Sequence, residues 1–161
     1  MLIRVDDLQG PEIASLLEVH LAHSRRHSPP QSIHALDLAR LRAPEITFWT
    51  AWERTELLGC GALRQLSPAS GELKSMHTAE HHRGRGVASA VLNHIIAEAK
   101  QRGYCAICLE TGAMQGFRPS RELYRKFGFV PCDPFGDYKT DPNSIFMRLD
   151  LTKFAPLTWA P

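Results

Sequence analysis

At 161 residues, with 43% hydrophobic and 22% charged side chains, the chain has the composition of an ordinary globular domain and the length to bury a core without metal or disulfide support. A formal net charge of +2 gives no general pull toward nucleic acid or an anionic membrane, so any basic feature has to act locally. No apolar run approaches a membrane span, and the opening Met1-Leu2-Ile3-Arg4-Val5-Asp6-Asp7 lacks the layout of a secretory leader, so the expected compartment is cytoplasmic, with neither membrane nor nucleic acid as a partner.

In chain order, residues 2 to 5 read as a first strand, and Gly10-Pro11 opens a helix whose Ile13, Leu16, Leu17 and Leu21 fall at helical spacing. The segment "HSRRHSPPQS" breaks it, and a second helical stretch is expected from Ile33 to Leu41, stopped near Pro44. "ITFWTAWE" and "ELLGCGALRQL" are rich in β-formers and small residues and are separated only by Arg54 and Thr55, which predicts an antiparallel hairpin. "GELKSMHT" follows as another strand. Val87, Val91, Leu92, Ile95, Ile96 and Ala99 form one apolar stripe closed by Gly103, a helix with a glycine after its last turn. "YCAICLET" is apolar on both faces, as a central strand covered on both sides should be. Its Cys105 and Cys108, a CxxC with no second copy, read as small buried strand residues rather than a redox or zinc half-site. Pro119 suits the first turn of a helix carrying Leu123, Tyr124 and Phe127 and ended by Gly128, and "SIFMRLDL" supplies a last strand. This order predicts one mixed α/β domain over residues 1–161, built on a largely antiparallel sheet.

The chemistry concentrates in "HHRGRGVASAVLNHIIAEAK", residues 81 to 100. A helix beginning near Gly86 leaves its first N–H groups without internal partners and carries partial positive charge there, so an anion is its natural ligand. Gly84 and Gly86 keep no side chain between ligand and backbone, while Arg83 and Arg85 can add charge-assisted hydrogen bonds to phosphate oxygens. "RGRGVAS" is not a P-loop, having no lysine, nor a dinucleotide fingerprint, having Ser89 at the third glycine position. The alternative is a plain surface turn with solvated arginines. His77, His81 and His82 cluster locally but lack metal-ligand spacing, and no metal is expected.

Arg83-Gly84-Arg85-Gly86-Val87-Ala88 matches the (Gln/Arg)-x-x-Gly-x-(Gly/Ala) signature of the GCN5-related N-acetyltransferases, the GNAT superfamily. "GELKSMHT" resembles that family's fourth strand, "CAICLETG" its fifth and "RELYRKFGF" its Leu-Tyr-x-x-x-Gly-Phe helix end. "LETG", "FRPSRELYRKFGF", "PFGDY" and "DPNSIFM" in succession resemble a bacterial subgroup of small members. The resemblance implies a GNAT fold: a twisted, largely antiparallel sheet whose fourth and fifth strands splay apart, flanked by about four helices. It implies acetyl-CoA as co-substrate, its pyrophosphate wrapped by Arg83, Gly84, Arg85, Gly86, Val87 and Ala88 and its pantetheine paired with Met76 and Thr78, the Met76 N–H donating to the thioester oxygen. Ser120 would approach the pyrophosphate end. Where many members carry a coenzyme-contacting Asn, seven residues before the tyrosine, this chain has Phe117.

An amine acceptor arrives mostly as ammonium and needs a base. Glu72 is the first choice, because several members carry a catalytic Glu at its spacing of eleven positions before Arg83; Glu110 on the fifth strand is the second. Either could instead be a rim carboxylate that only attracts a cationic substrate. Tyr124 matches the family's general acid, a phenol able to protonate the departing thiolate, or else packs on an amphipathic helix. Acceptor contacts are expected from His34, Asp37, Asp137 and Tyr138, residue types that also serve turns. The expected function is therefore acetyl transfer to the primary amine of a small molecule, amino acid or peptide, by a protein that forms a homodimer. The alternatives are a non-catalytic module that senses acyl-CoA and one that grips phosphate or RNA; "HHRGRG" lacks the interleaved aromatics and broad basic face of the latter.

Overall fold

β1 (Leu2–Val5) is the first of seven strands in a computed structural model that describes residues 1–154, so the expectation of one domain over residues 1–161 reaches past the described residues. α1 (Pro11–His27) starts on the predicted proline. The hairpin follows as β2 (Ile46–Glu53) and β3 (Glu56–Ser67), then β4 (Ser70–Thr78), α3 (Val87–Gln101), β5 (Ala106–Gly112), α4 (Arg118–Lys126), β6 (Val130–Pro131) and β7 (Ser144–Asp150). One sheet runs β1-β2-β3-β4-β5-β7-β6, antiparallel except where β4 meets β5, which is the mixed α/β architecture expected.

Alternation along the strands divides the core. Trp49, Leu63, Leu73, Ile107, Leu109 and Met147 point to the face covered by α3 and α4, where Val91, Leu92, Ile95 and Tyr124 meet them. Phe48, Cys60 and Ala62 point to the opposite face, where Ile13, Leu16 and Leu17 of α1 pack with Leu41. Each such aliphatic side chain withdrawn from water contributes roughly 1.5–3 kcal/mol, enough to fix which face each strand presents.

Two readings are corrected and one strand is added. The second helix, α2, spans only Leu38–Leu41, because the Asp37 carboxylate accepts the Arg40 N–H at 2.9 Å and starts the helix there; residues 33 to 37 are not helical, behind a 3-10 turn at Pro30–Ser32. Cys105 lies one residue before β5 and is exposed, whereas Cys108 is buried as expected. The two-residue β6 had no signal in the sequence. No helix among the described residues is long and apolar enough to cross a membrane.

The sheet opens where β4 and β5 part. Their parallel ladder runs from Ser70 opposite Ala106 to Leu73 opposite Leu109 and stops, after which β4 pairs with β3 and β5 with β7. A bulge in the β3–β4 ladder lies beside the gap. Cys60 faces His77 but Ala62 faces Lys74, so Ser75 and Met76 together stand opposite Gly61, and Ser75 takes φ of 54°, in the left-handed region. Gly61 is required there, since a Cβ would lie 2.6 Å from Met76 Sδ and 2.9 Å from Val91 Cγ1.

Candidate active site

A cavity of about 490 Å³ occupies the split between β4 and β5. One wall is the bulged end of β4, from Lys74 to Thr78, and the other is Glu110, Thr111 and Gly112 of β5. The loop before α3 closes one end with Arg83, Gly84 and Gly86, and α4 contributes Ser120 and Tyr124. His20, His23 and His34 come from α1 and the segment after it.

The Arg-Gly loop has the form its glycines demand. Gly84 and Gly86 have φ of 75° and 79°, and a Cβ on either would meet nothing within 4 Å, so open space lies over the backbone at the start of α3. Val87, Ala88 and Ser89 of the first helical turn also line the cavity. This donor set, an open glycine backbone and a helix N-terminus with Arg83 beside it, fits a pyrophosphate. Arg85 is turned elsewhere: it donates to Glu53 Oε2 at 3.1 Å and to His82 Nδ1 at 2.8 Å, and does not line the cavity. His82 in turn bonds Glu56 at 2.9 Å, and His77 shares a 3.3 Å Nδ1 to Nδ1 contact with His20, so His77 and His82 have separate partners.

The two candidate carboxylates differ sharply. Glu110 lines the cavity, and burial pushes its pKa up to about 7. Glu72, 1% exposed, is not part of the cavity wall. Its Oε1 accepts from Lys74 Nζ at 3.1 Å and from the Tyr138 hydroxyl at 2.5 Å, and the Arg64 guanidinium stands 3.9 Å from Oε2. The position expected first for the base is thus filled by a clamped ion, and the second-ranked carboxylate faces the open space. Tyr124 lines the cavity on the opposite sheet face from Glu72, its ring 5.7 Å from that of Phe129, and burial raises its pKa, so the phenol keeps its proton.

A family model for the GNAT acetyltransferases matches residues 13–129. The chain belongs to the GNAT family of acetyltransferases. This GNAT protein is 56% identical over 151 residues to the uncharacterised N-acetyltransferase YsnE of Bacillus subtilis, covering 94% of this chain and 100% of that one. It is 46% identical over 149 residues to the uncharacterised N-acetyltransferase YedL of Escherichia coli, covering 92% and 94%. An acetyltransferase from Bacillus subtilis solved in complex with CoA shares the fold at a TM-score of 0.69 and 20% identity, over 92% of this chain and 97% of that one.

Of the four residues expected to contact an acceptor, His34 is a wall residue of this GNAT cavity, its ring edge-on to Tyr138 with centroids 5.0 Å apart. Tyr138 lies behind the wall, bonded to Glu72 and Lys74, while Asp137 is exposed and Asp37 is spent on capping α2. Phe117, at the position where many members have Asn, lines the cavity and packs on His23 with ring centroids 5.2 Å apart. Gly112 accommodates it, since a Cβ there would meet the Phe117 ring. Sequence reasoning missed Lys74, His20 and His23. Lys74 did leave a signal: Glu72 and Lys74, two apart on a strand, put opposite charges on one face.

Proposed function

We propose that this acetyltransferase moves the acetyl group of acetyl-CoA to the primary amine of a compact acceptor, with Glu110 as base and Tyr124 as acid. The observation that carries this reading is the placement of Glu110, its carboxyl tuned to about 7, in the same cavity as the open glycine loop and the Tyr124 phenol.

Open space over the Gly84 and Gly86 backbone supports this assignment of the co-substrate. Gly84, Gly86 and the first turn of α3, with Arg83, would hold the pyrophosphate, and Met76 and Thr78 would run beside the pantetheine. When bound, acetyl-CoA supplies the acetyl group as an activated thioester. The parted strands would leave room for it between them, and the Met76 N–H, next to the bulge at Ser75, would donate to the carbonyl oxygen that gains charge. Glu110 takes a proton from the acceptor ammonium and releases it to solvent; a base with pKa near the working pH is ionised often enough to accept and weak enough to let go. The free amine forms the new C–N bond as the C–S bond breaks, Tyr124, whose raised pKa keeps it protonated, gives its proton to the departing sulfur, and the second proton shed by the nitrogen returns to the Tyr124 oxygen. The net release is one proton per turnover. The polymer-binding alternative is weakened because Arg85 is engaged by Glu53 and His82.

The test is thiol release from acetyl-CoA across amino acids, amines and short peptides, with the mass of each product measured. Acetylated amine in step with free thiol supports transfer. Acetyl-CoA binding without thiol release from any amine would make the protein an acyl-CoA sensor and end this reading.

A further inference from the structure

Among the described residues, Glu110 is the only carboxylate lining the cavity. Besides the protonated Tyr124 phenol, the rest of its ionisable lining is Lys74, Arg83 and the imidazoles of His20, His23, His34 and His77, with His82 toward the loop. A polyamine, an aminoglycoside or a basic peptide would bring several ammonium groups into a wall with one counter-charge, and each unpaired buried ammonium is costly. The cavity chemistry suits an acceptor with one amine and a negative group close to it.

Lys74 is placed to hold that negative group. Leu73 opposite Leu109 is the last rung between β4 and β5, so Lys74 and Glu110 are the next residue on each strand, one on either side of the opening and both on the face away from α3. Neighbouring strands stand about 4.7–4.9 Å apart before they splay, so the two side chains flank a narrow opening that suits an acceptor with its amine and its negative group close together. Lys74 is not consumed by Glu110. Its ammonium, 7% exposed, donates to Glu72 Oε1 at 3.1 Å and to the Tyr138 hydroxyl at 3.0 Å, which uses two of its three N–H groups. With Arg64 at 3.9 Å from Glu72, the cluster has two cations on one carboxylate and retains one excess positive charge. His34, also in the cavity wall, stacks edge-on against Tyr138 of this cluster and adds a ring N–H beside it.

We propose that the acceptor is an α-amino acid, or an equally compact amino acid analogue, whose carboxylate is bound by Lys74 with help from His34 while Glu110 faces its amine. This rests on the acetyl-transfer reading above and narrows it to a substrate class. Glu72 and Tyr138 then act as positioning residues, holding the Lys74 ammonium at the opening and away from Glu110.

The decisive measurement is kcat/KM by thiol release for matched sets: each common amino acid, its carboxamide and its decarboxylated amine, with spermidine and kanamycin alongside. A site built around a carboxylate should favour the acid of the preferred set by roughly a hundredfold or more over the other two, carried mainly by KM. Lys74→Met alone would leave Glu72 buried with the neutral Tyr138 hydroxyl and only the Arg64 guanidinium, 3.9 Å away, as counter-charge, so the variant of choice is Lys74→Met combined with Glu72→Gln, which removes both charges together. In it, and in part in His34→Ala, the preference for acid over carboxamide should collapse while the thermal shift produced by acetyl-CoA persists. Carboxamides or decarboxylated amines turned over as well as the acids, or spermidine or kanamycin as the best acceptor, would overturn this inference and leave acetyl transfer standing. No thiol release with any amine would overturn both.

Discussion

Glu72 and Glu110 lie on adjacent strands and on the same face of the sheet, yet only Glu110 opens into the cavity, because Tyr138 and Lys74 close over Glu72. The two carboxylates therefore predict opposite outcomes when neutralised. Glu110 has a folded pKa raised by burial to about 7, above its ordinary value, so the folded state holds its proton longer than the unfolded chain and stability declines as pH rises from the ordinary carboxylate range to about 7. Glu110→Gln removes that penalty: at pH 8 it should raise stability by roughly 1–3 kcal/mol while lowering kcat by a hundredfold or more. In the unaltered enzyme kcat/KM should rise with pH through about 7 as Glu110 ionises, and the variant should lose that limb. Glu72→Gln should instead lower stability by about 3–5 kcal/mol, since it strands Lys74, with no recovery of activity at high pH. Thermal melts and pH profiles of the two variants check this; a Glu110→Gln enzyme with an unchanged pH profile would remove Glu110 from the base role.

How far the sequence reaches is visible in these same residues. The hairpin of β2 and β3, the α3 stripe and the Arg-Gly loop are local patterns, where neighbouring residues decide the outcome, and they stand where residue type, apolar spacing and the paired glycines put them. The ranking of Glu72 over Glu110 rested on spacing from Arg83, a measure along the chain. What separates the two is the Tyr138 hydroxyl, 66 positions from Glu72, and no local pattern carries that contact. The contact that holds Arg85 is equally distant along the chain: its partner Glu53 is 32 positions away. The helix expected from Ile33 failed locally, because the Asp37 cap competes with a helix running through it.

Tyr124 stands at the cavity with its ring against Phe129, so a phenylalanine in its place keeps the packing and deletes one hydroxyl. Tyr124→Phe should lower kcat by roughly tenfold to a thousandfold, the contribution of one positioned proton donor, with little change in acetyl-CoA affinity or melting temperature. The loss should be smaller for an acyl donor whose leaving thiol is more acidic, because a better leaving group needs the proton less. Equal losses for both donors would mark Tyr124 as a packing residue.

Gly86 and Gly103 offer an internally controlled test of the loop. They flank α3, with φ of 79° and 77°, and at both a Cβ would meet nothing within 4 Å, so a leucine at either imposes similar backbone strain, roughly 1–2 kcal/mol, and no clash. For a domain of this size that corresponds to a fall in Tm of roughly 2–8 °C in each variant. Only Gly86 lines the cavity. Ligand bound to the folded state alone stabilises by about 2.7 kcal/mol at a hundredfold excess over Kd, so acetyl-CoA should raise the Tm of Gly103→Leu by as much as that of the unaltered protein. Gly86→Leu should show little or no rise, because its side chain would stand where the loop N–H groups need to meet phosphate. A coenzyme analogue lacking the pyrophosphate should shift neither protein strongly. If Gly86→Leu kept its full response to acetyl-CoA, the pyrophosphate would have to lie elsewhere, and the orientation assigned to the thioester between Met76 and Glu110 would fall with it.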